Sequence, residues 1–279
     1  MRVRRKLAEL LPHDLHNGRG SAEITIPSWA FTPDHWNTTF LRGLHKVAAS
    51  WEFRTVWEIG VGTGVNLISL WNAVRKSNWY FSDYNAECVP LTCQNLGAAG
   101  IDAGYTALHG STDLVAVSRG ETPRADVIFG CLPQVPIVMD LEAGDRVAHY
   151  YNPERYQCST RNACGLGLNE ALLKRAKSAL SPRGSVVLNL SGRPGLGRLQ
   201  EMFAEHGYDP CVLHSAVVPQ HPQTSLETLA VGESKGKKFE FFAHPEGAAI
   251  TATEAEQLRV RQQPVFHRIY VIEGTRRAA

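Results

Sequence analysis

Apolar and polar positions alternate in short blocks along this chain. Val56-Trp57-Glu58-Ile59 is a compact, mostly apolar run that meets Gly60, Gly62 and Gly64, after which apolar residues recur at Leu67, Ile68, Trp71 and Val74, followed by Arg75 and Lys76. The run predicts a buried strand and the glycines a tight turn. The recurrence over Val65 to Lys76 predicts a helix with basic residues in its last turn. Trp79-Tyr80-Phe81-Ser82 predicts a second strand, stopping at Asp83-Tyr84-Asn85. The helix that follows should start near Val89 or bend there, because Pro90 has no N–H to donate. Tyr105 to His109, Asp126 to Phe129 and Ser185 to Leu190 predict three more strands, with helices over Asn169 to Leu180 and Gly195 to His206, the second ending at Gly207. Pro182-Arg183-Gly184 reads as a turn. Val212 to Val218 and Lys238 to Ala243 fit an antiparallel pair at the sheet edge, and a helix around Glu254 to Arg261 and a strand around Val265 to Ile272 complete the series. Strands alternating with helices predict a doubly wound, mostly parallel α/β sheet whose ligand lies at the carboxyl ends of the strands.

No internal repeat or low-complexity linker interrupts this order. The expected organisation is an N-terminal extension (1–30), one main domain (31–245) and a C-terminal addition (246–279) packed on it. At 279 residues and 43% hydrophobic, the chain can bury one large core or a core with an appendage. Lysine and arginine number 29 against 27 acids, a net charge of +2, so no overall field draws the protein to nucleic acid. The basic cluster Arg2, Arg4, Arg5 and Lys6 reads as a solvated terminus. No apolar signal core follows it, and no stretch approaches the ~18 apolar residues of a membrane span. The expectation is a cytoplasmic protein without membrane contact. Its six cysteines, at positions 88, 93, 131, 158, 164 and 211, contain no C-x-x-C pair, which fits a reducing compartment and no metal. An apolar helix face serves a core or a homodimer partner equally.

The spacing Glu58, Gly60, Gly62, Gly64 differs from the dinucleotide fingerprint G-x-G-x-x-G. It resembles motif I of class I methyltransferases, which bind S-adenosylmethionine. The resemblance implies a Rossmann-like, seven-stranded sheet ending in an antiparallel hairpin. It also implies a cofactor site of Glu58, Gly60, Gly62, Gly64, Asp83, Tyr84 and Asn85, joined by Thr112, Asp113 and Cys131. In that family the acid at Asp83 accepts hydrogen bonds from both ribose hydroxyls, a task suited to a charged group with two acceptor oxygens, and the acid at Asp113 contacts the adenine amine. The competing assignments are a helix N-cap for Asp83 and a solvated loop residue for Asp113.

Gly130-Cys131-Leu132-Pro133-Gln134 stands where amino and amide methyltransferases carry N-P-P-Y, and lacks both the Asn acceptor and the aromatic ring. Together with Gly165-Leu166-Gly167-Leu168, Asn189-Leu190-Ser191-Gly192-Arg193-Pro194-Gly195 and Phe239-Glu240-Phe241-Phe242, and an upstream stretch from Ile26-Pro27-Ser28 to Asp34-His35-Trp36, it resembles the methionine S-methyltransferases. The likeness runs from about Glu23 to about Ile272. The plant members continue into an aminotransferase-like region that this sequence lacks. A free-standing version resembles the bacterial enzyme that makes S-methylmethionine on the route to dimethylsulfoniopropionate.

The implied reaction methylates a thioether. A methyl group and one positive charge move between sulfurs and no proton is released, so no general base is needed. The site must align the sulfurs, exclude water and tolerate cationic sulfur. Trp36, Tyr150, Tyr151 and Tyr156 are candidate aromatic faces for that charge, with ordinary core or lid packing as the alternative. Arg193 is the candidate fork for the carboxylate of L-methionine, with a structural salt bridge as the alternative. Pro133, Gln134, Tyr151, Asn152 and Gln157 are the next substrate candidates. Two rivals remain: methylation of a glutamine amide or small amine nitrogen, and cofactor binding without catalysis.

Overall fold

A computed structural model describes residues 2–50, 54–73, 76–108, 124–136, 161–221, 224 and 226–277. The hairpin β1 (Arg2–Lys6) and β2 (Glu23–Pro27), bridged by α1 (Leu7–Leu10), forms its own two-stranded sheet. After α2 (His35–Ser50), strands and helices alternate: β3 (Thr55–Ile59), α3 (Val65–Leu70), β4 (Asn78–Ser82), α4 (Cys88–Ala98), β5 (Tyr105–Ala107), β6 (Ala125–Gly130), α5 (Gly167–Ala179), β7 (Leu180–Ser191), α6 (Leu196–Glu205) and β8 (Tyr208–Pro219). The chain then continues through α7 (Glu227–Ser234), β9 (Phe241–Phe242), β10 (Ala249–Ile250), α8 (Ala252–Val260) and β11 (Phe266–Arg276).

Five strands run parallel in the order β5-β4-β3-β6-β7. Side chains alternate between the faces as the pleat demands. Trp57, Ile59, Ile128, Val186 and Leu188 meet Leu172, Leu173, Leu199 and Phe203 of α5 and α6. Val56, Phe81, Val127, Phe129 and Val187 meet Phe40, Leu41, Leu67 and Val89 of α2, α3 and α4. The expected doubly wound α/β fold is the observed one.

Several local expectations change. The partner of β8 is β11, paired antiparallel along its whole length, whereas Lys238 to Ala243 contributes only the two residues of β9. β11 also pairs antiparallel with β7, so the latest strand of the chain lies between β7 and β8 inside the sheet. The F-E-F-F segment attracted the edge assignment through its apolar density, but Phe239 and Phe241 are buried against the core, not laid along β8. The helix expected up to Lys76 ends at Leu70 and passes into a turn at Trp71; Val74 and Arg75, its last expected members with Lys76, lie outside the described residues. Pro182-Arg183-Gly184 is absorbed into β7 as an irregularity: the register jumps from Ala125↔Leu180 to Val127↔Ser185. Asp126 holds this point by accepting from Ser181 Oγ (3.0 Å) and from the N–H groups of Arg54 (2.8 Å) and Thr55 (3.1 Å). Pro90 sits in the first turn of α4, where its missing N–H has no intrahelical acceptor to lose.

A buried amide helps tie the N-terminal hairpin to the main domain. Asn95 of α4 accepts from Thr25 N–H (2.8 Å) and donates to Thr25 O (3.1 Å) and Thr63 O (2.9 Å), so hairpin and glycine turn share an anchor.

α2 presses on β11 at Gly43, where a Cβ would come within 2.4 Å of Val271 Cγ1. Gly43→Ala should therefore overpack this contact and destabilise the protein by about 1–3 kcal/mol in urea unfolding.

Candidate functional site

The glycine turn is pinned from three directions. The backbone is left-handed at Gly62 (φ 57°), and a Cβ there would meet nothing within 4 Å among the described residues, which leave this surface of the turn open. Gly62 N–H donates to Asp83 Oδ2 (2.9 Å) and Gly62 O accepts from Thr92 Oγ1 (3.1 Å). Both backbone polar groups of Gly62 are thus fixed, by side chains at the end of β4 and within α4. Asp83 Oδ1 also accepts from Asn85 N–H (2.8 Å), and Asn85 Oδ1 accepts from Glu87 N–H (3.0 Å). Asp83 is therefore a turn anchor. It is half-buried beside Tyr84.

Glu58 is the penultimate residue of β3, before this turn, and is 1% exposed. Its Oε1 accepts from Asn66 Nδ2 (2.9 Å), while Oε2 has no hydrogen-bond partner among the described residues. Burial pushes its carboxyl up to about 8, against the Asn66 bond that favours ionisation; the charge of Asp83 adds to the rise. Asn66 also accepts from Asn37 Nδ2 (3.4 Å), which connects Glu58 to the start of α2. There Asp34 caps the helix, accepting from Trp36 N–H (2.8 Å).

Across the strand ends, Cys131 follows β6 as a half-buried thiol that accepts from Asn189 Nδ2 (3.3 Å). Burial pushes this thiol up to about 12, so it stays protonated at neutral pH. Asn189 Nδ2 also donates to Trp36 O (3.0 Å), which ties β7 to α2, and its Oδ1 is buried without a partner among the described residues. The Trp36 ring lies 5.5 Å from that of His267, at a tilt of 43°.

The four sequence motifs converge here. Gly165 has a left-handed backbone (φ 75°), and a Cβ there would fall 2.8 Å from the carbonyl carbon of Gln134. The segment after β6 and the segment entering α5 therefore touch backbone to backbone. Gln134 donates from Nε2 to Ser191 O (3.2 Å) and accepts at Oε1 from Ser191 N–H (2.9 Å). Glu240 N–H of the F-E-F-F segment donates to Arg193 O (2.8 Å).

Of the expected site residues, the fold brings together Glu58, Gly60, Gly62, Gly64, Asp83, Tyr84 and Asn85 on one side and Trp36, Cys131, Pro133 and Arg193 on the other, all at the carboxyl ends of the parallel strands. Gln134 lies beside them and clamps the strand, both ends of its amide serving the Ser191 backbone. Thr112, Asp113, Tyr150, Tyr151, Asn152, Tyr156 and Gln157 lie outside the described residues. Thr92, Asn95, Asn189 and His267 were missed. The first two were readable as polar residues three apart on an otherwise apolar helix face; His267 left no signal in its local sequence. Among the described residues no group of His, Cys, Asp or Glu is placed to hold a metal, and no helix is long and apolar enough to cross a membrane.

No family model matches the chain. The chain is similar to plant methionine S-methyltransferases. It is 28% identical to the Zea mays protein over 244 residues, 78% of this chain and 22% of that one. The Arabidopsis thaliana protein is 25% identical over 244 residues, 78% of this chain and 23% of that one. The chain thus spans less than a quarter of the length of the curated relatives it matches. Among solved structures, a Bacillus halodurans protein assigned as a methyltransferase aligns at a TM-score of 0.50 and 10% identity, covering 84% of this chain and 97% of that one. That likeness shows the Rossmann-like methyltransferase fold.

Two outcomes test this geometry. Because Glu58 keeps its proton to about pH 8 in the folded protein while an unfolded glutamate ionises near 4.5, the native state holds one proton more between those values. Its stabilising contribution is full below 4.5 and declines as pH rises through 8. In urea unfolding the wild type should therefore lose stability relative to Glu58→Gln between pH 5 and pH 8. Asp83→Ala should free the Gly62 peptide and weaken binding of S-adenosylhomocysteine at least about tenfold by calorimetry, the scale of one lost charge-assisted bond.

Proposed function

We propose that this chain transfers a methyl group from S-adenosylmethionine to the thioether sulfur of L-methionine, giving S-methyl-L-methionine. The observation that carries the reading is the convergence of all four motifs shared with methionine S-methyltransferases on one set of strand ends, beside a glycine turn with an open outer surface. The residues present fit the donor. Gly62 is held at its N–H and C=O with its Cα uncovered among the described residues, the Asp83 carboxylate lies beside it, and Glu58 Oε2 is a buried oxygen without a partner among the described residues. When bound, S-adenosylmethionine supplies a methyl group on a cationic sulfur.

The chain's own residues then have to hold and shield the acceptor. Trp36 offers an aromatic face at the mouth of β7, where a sulfonium product is better tolerated than in a purely aliphatic wall. Arg193 is the fixed cation for the amino-acid carboxylate: burial lowers its guanidinium only to about 10, which leaves it charged at neutral pH. Cys131, held as a thiol, is no proton acceptor, and Glu58 at neutral pH is itself protonated. These states suit an acceptor that loses no proton on methylation. The family likeness also supports placing the product on the route to dimethylsulfoniopropionate.

One observation favours the rival N-methylation: His267 is a neutral imidazole in the same cleft. Its burial and the adjacent Arg193 hold it well below the ordinary imidazole range, which makes it a weak base. Incubation with methyl-labelled donor and methionine, followed by mass spectrometry, should show methionine gaining one labelled methyl as a fixed cation. Labelled glutamine or amine products instead would establish the rival, and donor binding without any transfer would leave a cofactor-binding protein.

A further inference from the structure

The pairing of β7 with β11 sets Ser191 opposite Ile269 and Asn189 opposite Val271, and the ladder continues with Gly192 N–H donating to Arg268 O (2.7 Å). Arg193 follows in the turn closed by Gly195 N–H on Gly192 O (2.8 Å), with its charge close enough to lower the His267 imidazole. His267 lies on the sheet face that carries Val271 and Asn189 and is covered by α2.

His267 is 1% exposed, and neither ring nitrogen has a hydrogen-bond partner among the described residues. Arg193 makes no ion pair among the described residues, and its Nε is sealed from solvent without a partner. A half-buried guanidinium with its Nε sealed and no counter-ion among the described residues is costly, as is a buried imidazole with two unsatisfied nitrogens. One anion with two oxygens, entering between them, would relieve both. A neutral imidazole suits this place better than a second charged group. It can turn an N–H toward an anion, and when the site is empty it does not add a second cation beside Arg193. Trp36, stacked obliquely on the ring, fixes its plane.

We propose that His267 is a substrate-binding residue that, together with Arg193, receives the carboxylate of the amino-acid acceptor and so selects α-amino acid thioethers over thioethers lacking that group. This rests on the methyl transfer proposed above. Two sources could supply the carboxylate, because the methyl donor carries one as well. The position favours the acceptor: the glycine turn follows β3, and β6 separates β3 from β7.

The test compares L-methionine with 3-(methylthio)propylamine, which keeps the thioether and amine but lacks the carboxylate, read as a substrate or as a competitive inhibitor. His267→Phe should raise KM for methionine about 10- to 100-fold, the worth of one hydrogen bond to a charged group, with a small change in kcat. The behaviour of the amine and the affinity for S-adenosylhomocysteine should stay the same. His267→Asn, which retains an N–H donor, should recover part of the methionine affinity. Equal losses on methionine and the amine would mark a packing role, an unchanged methionine KM would leave the carboxylate to Arg193 alone, and weakened S-adenosylhomocysteine binding would assign the pair to the donor. Each of these overturns the proposal. Failure of the wild type itself to methylate methionine would instead remove the underlying function, so the two failures are distinguishable.

Discussion

The antiparallel placement of β11 between β7 and β8 is the constraint on which the acceptor side of the cleft depends. A strand in the sheet interior must pair on both edges, so its register is set by hydrogen bonds to two neighbours at once. β11 satisfies that with β7 and β8 together, and α2 closes over it at Gly43 with no room for a Cβ. Once that register is fixed, His267 has one position, beside Arg193 and under Trp36. A slip of one residue would turn His267 to the opposite face and bring Arg268 in its place.

The two halves of the cleft are built on different principles. On the donor side, polar groups are almost all satisfied within the protein. Asp83, Thr92 and Asn95 hold the glycine turn through its own peptides, so the turn is rigid before a ligand arrives. Preorganisation of that kind lowers the entropy lost on binding. On the acceptor side, burial is not matched by pairing. Arg193 Nε, both nitrogens of His267 and Asn189 Oδ1 are enclosed and unpaired among the described residues. Buried polar groups in folded proteins are nearly always hydrogen-bonded, so a cluster of exceptions at the ends of two neighbouring strands marks where a polar ligand completes the structure.

Protonation states follow the same division. Burial raises Glu58 and Cys131 and lowers His267, so three titratable groups around the cleft are neutral at neutral pH, while Arg193 keeps its charge. A site that is mostly neutral and dry strengthens the few electrostatic contacts it makes. It is poorly equipped to remove a proton, which agrees with a thioether acceptor.

The sequence by itself determined the strand–turn–helix units, the mostly parallel character of the sheet and the placement of Gly62 and Asp83 at strand ends, because each depends on contacts between residues near in the chain and on periods of two and 3.6. It also showed the four motifs, and Arg193 among them, but as separate stretches. Their meeting through Gln134 on Ser191, Gly165 on Gln134 and Glu240 on Arg193 belongs to tertiary structure. The edge pair was misread for the same reason. Phe239 to Phe242 has more apolar character than Phe266 to Arg276, yet strand order is decided by which segment can pair along its full length with two neighbours, and no local pattern records that. His267 is the clearest case: one histidine among eleven in the sequence, it gains its character from burial and from an arginine more than seventy residues earlier. Desolvation and cross-strand neighbours are properties of the folded chain, and they decided the chemistry of the acceptor side.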